Sequence, residues 1–358
     1  MVLSAKPDFE RARTAWRHFW AGDVYERPLV LAECNDGPPP EVHPRAERYR
    51  RAMAGDYDGV LADIDRFLEV HRWLGEAMPG FWVDHGPDQY AAFLGAELQF
   101  SPGVGHTNWV DPIVDDWESF LPLRLDENNP VYRSVLTFAR KMAAHGEGRY
   151  LVRCIDAHSH ADMLSALRGP ERFCMDFALQ PETVARAMAQ ARPIFRQVYD
   201  AVYEAGNMGG EKGCTQLIWS DGKCGIIQCD FIIMIGPEHF RRYVLPAIEE
   251  EAAHLDHCIF HLDGPGAFRH LDDLLAVPDI DMIQLVPGAG QPAAHTWTDL
   301  MKRCLAAGKG VQVYGAGLDL DRIRILHREL GPRGVMYCPQ GGNRENIEEI
   351  CDWLKRNT

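Results

Sequence analysis

Short apolar, β-rich runs that stop at turn or polar residues recur along this chain, and helix-period segments separate them. Eight such runs stand out, at residues 28–33 (PLVLAE), 79–84 (PGFWVD), 149–156 (RYLVRCID), 214–220 (CTQLIWS), 257–263 (HCIFHLD), 281–286 (DMIQLV), 310–315 (GVQVYG) and 334–338 (GVMYC). Several are apolar nearly throughout rather than alternating, the pattern of strands covered on both faces. Residues 181–204 place Val184, Ala187, Met188, Ala191, Ile194, Val198 and Val202 at helical spacing, open on Pro181-Glu182 and stop near Gly206. Residues 237–255, 298–307, 319–330 and 343–356 have the same character. Strands alternating with helices imply parallel βαβ units. Eight of them predict an α/β chain folded as a single (β/α)8 TIM barrel, with no domain boundary across residues 1–358. Residues 86–129, rich in Gly, Pro, Asp and Trp, carry no clear period and predict long loops with short helices elaborating one barrel mouth.

Composition narrows the function classes. A formal net charge of -15 disfavours nucleic acid, whose phosphates need a basic surface. It also disfavours a substrate with several carboxylates, unless a local basic pocket overrides the general field. The 10 cysteines include no CxxC pair, which removes zinc-ribbon and thioredoxin-type sites. Met1 to Ala21 has no apolar signal-type core, and no run reaches the ~20 apolar residues of a membrane span. The expectation is a soluble, cytoplasmic protein with reduced thiols.

In a parallel barrel the site is assembled at the C-terminal strand ends. Those ends carry Glu33 and Asn35, Asp84 and His85, Asp156, His158 and His160, and Trp219, Ser220 and Asp221. Further along come His261 and Asp263, Gln284, and Cys338 with Gln340. Any single Asp or Asn there can be a helix cap; the repeated acids, histidines and cysteine together predict a polar pocket able to hold a metal. Two patterns are sharper. Asp156-Ala157-His158-Ser159-His160 puts two imidazoles at i and i+2, and resembles the opening of amidohydrolase-type metal barrels. Those enzymes carry the pair after their first strand, whereas here it follows the third, so polar-pocket histidines are the plainer reading. His261-Leu262-Asp263-Gly264 puts His and Asp on one side of a strand end, and Cys338 follows the last predicted strand. His, carboxylate and thiolate form a competent zinc set with one position open.

Leu167-Arg168-Gly169-Pro170-Glu171, Leu179-Gln180-Pro181-Glu182, Cys229-Asp230-Phe231, Ile235-Gly236-Pro237-Glu238, His261-Leu262-Asp263-Gly264, Ile283-Gln284 and Glu345-Asn346-Ile347 follow in order. Together they resemble the uroporphyrinogen decarboxylase superfamily, over roughly residues 150 to 355 and only faintly before. That resemblance implies a (β/α)8 barrel. It also implies either decarboxylation or zinc-dependent methyl transfer from a corrinoid. The decarboxylase branch grips substrate carboxylates with an N-terminal Arg-Gln-Ala-Gly-Arg-Tyr segment; the nearest stretch here, residues 44–50 (PRAERYR), departs from it and reads as a solvated helix. The methyltransferase branch holds zinc through His-x-Cys and a later Cys. His261 and Cys338 match that set, while Asp263 stands in place of the first Cys.

The leading expectation is therefore a zinc-dependent methyltransferase-like enzyme acting on a small molecule, with His261, Asp263 and Cys338 as metal ligands. Asp230, Asp156 and His158 are its candidate catalytic groups, and Glu33, His160, Trp219, Asp221 and Gln284 its candidate substrate contacts. No corrinoid-binding signature is present, so a corrinoid would arrive on a partner protein. A metal-free decarboxylase or lyase built on Asp230 or Asp263 is the alternative, followed by an amidohydrolase-like metal hydrolase and a non-catalytic binding protein. Trp73, Phe81, Trp82, Tyr90, Trp109 and Trp117 read either as local packing or as an apolar wall for an aromatic or methylated substrate. Oligomeric state is not legible.

Overall fold

The computed structural model describes residues 2–100, 107–288 and 290–358. Its main strands are β1 (Leu29–Asn35), β2 (His71–Gly75), β3 (Gly80–Trp82), β4 (Leu151–Arg153), β5 (Gly213–Thr215) and β6 (Ile218–Ser220). After these come β7 (Cys224–Gln228), β8 (His257–Asp263), β9 (Met282–Val286), β10 (Gly310–Gly315) and β11 (Val335–Pro339). Seven of them form one sheet in the order β2-β1-β11-β10-β9-β8-β7. Every pairing in it is parallel except β2, which runs antiparallel to β1. β3 and β4 make a separate parallel pair, and an isolated parallel bridge from Ala157 to Ile227 links the continuation of β4 to β7.

This is an α/β fold with a mostly parallel central sheet; among the described residues the seven-stranded sheet and the β3–β4 pair are not joined into one continuous hydrogen-bonded ring. Among the described residues β1 pairs with β2 where a ring would pair it with β3. The apolar runs read correctly as buried strands: β9, β10 and β11 are buried almost end to end. The long helices also fall where their period and caps place them. They include Pro181–Ala205, Leu320–Leu330 capped by the Asp319 carboxylate, and Arg344–Asn357 capped by Asn343. The Pro237 segment is split by a π-helical turn, Phe240–Val244, before Leu245–Ala253. The loop-rich stretch holds only short pieces, Gln89–Phe93, Leu98–Gln99, Trp109–Val110 and Trp117–Phe120. Residues 101–106 of it lie outside the described residues.

One predicted strand was wrong in kind. Residues 214–220 form the antiparallel hairpin β5–β6, turning at Gln216, whose φ is 42°. The parallel strand that follows is β7, eight to ten residues later than expected. The hairpin is held closed by Gly213, where a side chain would run into the Gly222 carbonyl oxygen. Helix Phe9–Trp20 packs at the N-terminal edge of the sheet. There Trp20 stacks on His257, the first residue of β8, and its Nε1 donates to the Trp219 carbonyl at 2.8 Å. A buried apolar cluster runs through the molecule from Leu3 to Leu354. No helix among the described residues is long and apolar enough to cross a membrane.

Candidate active site

The C-terminal ends of β7, β8, β9 and β10 bring polar side chains into one layer. Register pairs His261 with both Gln228 and Gln284. Because side chains two apart on a strand share a face, Asp263 stands on the same side as His261. Gly264 then turns the chain with φ 73°, a conformation glycine adopts without strain.

Two groups of possible ligand atoms lie here, each within 4.8 Å of one another: His158, Asp162 and Asp230, and Asp230, His261 and Asp263. Asp230 belongs to both. In the first group the Asp162 carboxylate is already engaged. It accepts from the backbone N–H of Asp230 (3.0 Å) and Phe231 (2.8 Å) and from the Cys229 thiol, and faces His158 Nδ1 at 3.4 Å. Burial works against charge on His158, but Asp156, Asp162 and Asp230 outweigh it and push its pKa up to about 10. It is an imidazolium at neutral pH, and a cation would have to displace that proton to take it as a ligand. Asp156 itself accepts from Gln228 Nε2 at 2.7 Å.

The second group is the open one. Asp230 Oδ1 and Asp263 Oδ1 are buried without a hydrogen-bond partner. Burial holds the His261 pKa down, so its ring is neutral. Its Nδ1 meets the Gln284 amide oxygen at 2.5 Å, while Gln284 Nε2 donates to Gln216 at 3.1 Å and to Gln312 at 2.5 Å. That arrangement makes Nδ1 the donor and leaves Nε2 with the lone pair. Burial, then the Asp162 charge, push the Asp230 carboxyl up to about 7 against the pull of His158.

Cys338 ends the same chain of amides. Its sulfur accepts from Gln312 Nε2 at 3.3 Å, and burial pushes its thiol up to about 12. It is in neither ligand group, so the expected trio of His261, Asp263 and Cys338 is not brought together; Asp230 stands with the other two instead. Gln284, expected to touch substrate, positions His261. Glu33 does face the cleft, hydrogen-bonded to His71.

Three expected contacts lie elsewhere. Trp219 is fully buried at the opposite edge, under Phe9 and Arg17. Asp221 lies near it, 3.8 Å from Arg17. Both errors come from the hairpin: residues read as the end of a strand precede the true strand β7, whose end is Gln228-Cys229-Asp230. His160 has no exposed surface; it faces Glu251 at 3.6 Å, and Ser159 donates to the same carboxylate.

The cleft has two chambers. The inner one, about 490 Å³, is lined by His261, Gln284, Gln312, Tyr314, Cys338 and the hairpin tip Gln216-Leu217. A second chamber of about 260 Å³ lies beside it, and the two share Glu33 and Arg153. Helix Arg45–Met53, expected to be solvated, buries Tyr49 and turns Arg45 and Arg48 into this second chamber. The arginines face Asp84, which is 1% exposed and lies 3.8 Å from Arg45. Burial pushes the Asp84 carboxyl up to about 6, with Arg45 opposing. Trp73, Phe81 and Trp82 also line the chamber, as an apolar wall would. Tyr90 and Trp117 are core, and Trp109 is exposed.

Sequence reading missed Gln216, Gln228, Gln312, Arg45, Arg48 and Arg153. Gln216, Gln312 and Arg153 left a signal, each a polar side chain inside a run read as an apolar strand, whereas Gln228 ends β7, which was not read.

No protein-family model matches the chain, and comparison with curated proteins gave no sequence match. Among solved structures, a methyltransferase from Methanosarcina mazei shares the fold over 97% of this chain and 98% of its own, with a TM-score of 0.59 and 12% sequence identity.

Proposed function

We propose that the chain is a metal-dependent methyltransferase-like enzyme on a (β/α)8-type scaffold, with its site at the C-terminal strand ends. The observation that carries this reading is the convergence of Asp230, His261 and Asp263 with two carboxylate oxygens left unpartnered. A neutral imidazole and two carboxylates suit a divalent cation such as zinc, leaving room for a further ligand. Bound there, the cation would supply Lewis-acid activation of a nucleophile. Gln284 fixes the His261 ring and Gln228 orients Asp156. The His158 imidazolium offers a proton at the same wall. The small-molecule substrate would enter the inner chamber, and a methylcorrinoid, if one is the methyl donor, would arrive on a partner protein. The fold shared with a methyltransferase supports this reading at the level of architecture. Elemental analysis of purified protein tests it: about one zinc per chain, lost in His261→Ala and Asp263→Ala, is expected, and metal-free wild type would overturn it.

A metal-free decarboxylase or lyase is the second reading, favoured by Asp84. A carboxyl raised to about 6 among arginines can take up and return a proton near neutral pH. Turnover untouched by chelators and abolished in Asp84→Asn would favour it over the first.

A further inference from the structure

Buried polar atoms without partners are rare in folded proteins, and each asks for an explanation. Six that make no well-formed hydrogen bond line the second chamber: Arg45 Nε, Tyr49 Oη, Trp73 Nε1, both Asp84 carboxylate oxygens and Arg153 Nε. Their neighbours, Tyr49 beside Asp84, Trp73 beside Glu33 and Arg153 beside Cys214, engage them only loosely. Charge there is unbalanced as well. Arg45, Arg48 and Arg153 face Glu33 and Asp84, which leaves at least one positive charge uncompensated. Glu33 is engaged by His71, and Arg45 is the cation nearest Asp84. Among the described residues, Arg48 and Arg153 have no carboxylate within ion-pair distance. Arg153 lies instead over the Trp82 ring at 5.8 Å.

We propose that this chamber binds a small planar apolar monocarboxylate, in the simplest case a single-ring aromatic acid. Its carboxylate would sit on Arg48 and Arg153, with a hydrogen-bond donor of the same molecule facing Asp84. The body of the ligand is set by the walls. Phe67, Trp73, Phe81 and Phe138 are apolar and flat, and about 260 Å³ is less than the roughly 300–1,000 Å³ of sites for drug-sized ligands. The single charge follows from the imbalance: a second or third carboxylate would meet Glu33 and Asp84. Guanidinium forks suit a carboxylate in two-point contact. Because Arg153 and Glu33 also border the inner chamber, the carboxylate end of a ligand held here lies at the passage to the His261 side, and its far end faces Asp84. The inference rests on the cleft being the active site and not on a metal being present.

The test uses the full chain after chelator treatment, with Trp73 and Trp82 fluorescence and calorimetry as readouts. Its probes are 4-hydroxybenzoate, the methyl ester of that acid, and benzene-1,3,5-tricarboxylate. The acid is expected to bind at one site per chain, and the ester to bind roughly ten-fold or more weakly, the usual effect of losing charge-assisted hydrogen bonds. The tricarboxylate should bind worse than the acid. Arg48→Gln and Arg153→Gln should each weaken the acid by a similar factor and leave the ester unchanged, and His261→Ala should retain acid binding. Equal binding of acid and ester to the wild type, preference for the tricarboxylate, no binding of the acid, or acid binding indifferent to both arginine variants would overturn the proposal. Absence of zinc would sink the metal reading alone, and failure of acid binding in zinc-containing protein would sink the substrate class alone.

Discussion

Gln284 carries more of the site than its neutral side chain suggests. Its oxygen receives His261 Nδ1 while its nitrogen is held by two other glutamines, so it dictates which imidazole nitrogen is free. Gln284→Leu would leave the His261 N–H and the Gln216 and Gln312 oxygens without their partner. The expected result is a stability loss of about 1–3 kcal/mol in urea melts and a roughly 10–100-fold loss of zinc affinity in chelator competition. Gln284→Glu, which keeps the acceptor, should retain more affinity than Leu. Asp84 makes a separate prediction at this scale. An unfolded Asp titrates near ~3.9, whereas burial sets the native carboxyl at about 6. Between those values the native state holds a proton that the unfolded chain has released, so this group's contribution to stability falls as pH rises from about 4 to about 6. Asp84→Asn should therefore raise stability at pH 7 by about 1–3 kcal/mol, with the gain vanishing below pH ~4. Thermal melts across pH would show it; a constant difference at all pH values would refute it.

Among the elements, the hairpin β5–β6 separates what could be read from what could not. Hydrophobic runs announced β1 and β8 through β11 because a strand buried on both faces needs apolar residues at nearly every position. The segment 214–220 has the same composition, but an antiparallel pair buried in the interior needs it equally, so periodicity cannot distinguish them. That ambiguity shifted Trp219 and Asp221 to the wrong edge, whereas His158, His261 and Asp263 follow correctly read strands. Asp230, after the unread β7, was reached only through Cys229-Asp230-Phe231, and it stands between the other three. The arginine chamber was illegible for another reason. Helix Arg45–Met53 is polar on nearly every side, and only tertiary placement tells an arginine lining a cavity from one in solvent. The hairpin can be tested directly: Gly213→Ala pushes a methyl group against the Gly222 carbonyl and should cost on the order of 1–3 kcal/mol. Unchanged stability in denaturant titrations would show that the turn relaxes freely.

Over the whole molecule, a net charge of -15 surrounds a chamber with excess positive charge. The two fields act over different distances. The outer one is screened within about 8 Å at physiological ionic strength, while the enclosed arginines are screened much less. An anionic probe such as 4-hydroxybenzoate should thus associate faster as salt rises from about 10 to 150 mM, the reverse of steering by a basic surface. Stopped-flow quenching of the chamber tryptophans measures this; association slowed by salt would indicate that the local field extends beyond the entrance.

Gln216 reaches the floor of the inner chamber from the tip of a hairpin that contributes no strand to the seven-stranded sheet. The arms are tied to the frame, Cys214 O accepting from Cys154 N and Leu217 O from Met78 N, so the side chain at the tip is what sets the depth of the cavity. A smaller or larger residue at 216 would deepen or shorten the chamber and leave the positions of His261, Asp263 and Asp230 to the strands that hold them. One side chain could then tune how long a molecule this scaffold accepts, a degree of freedom open to evolution and to redesign.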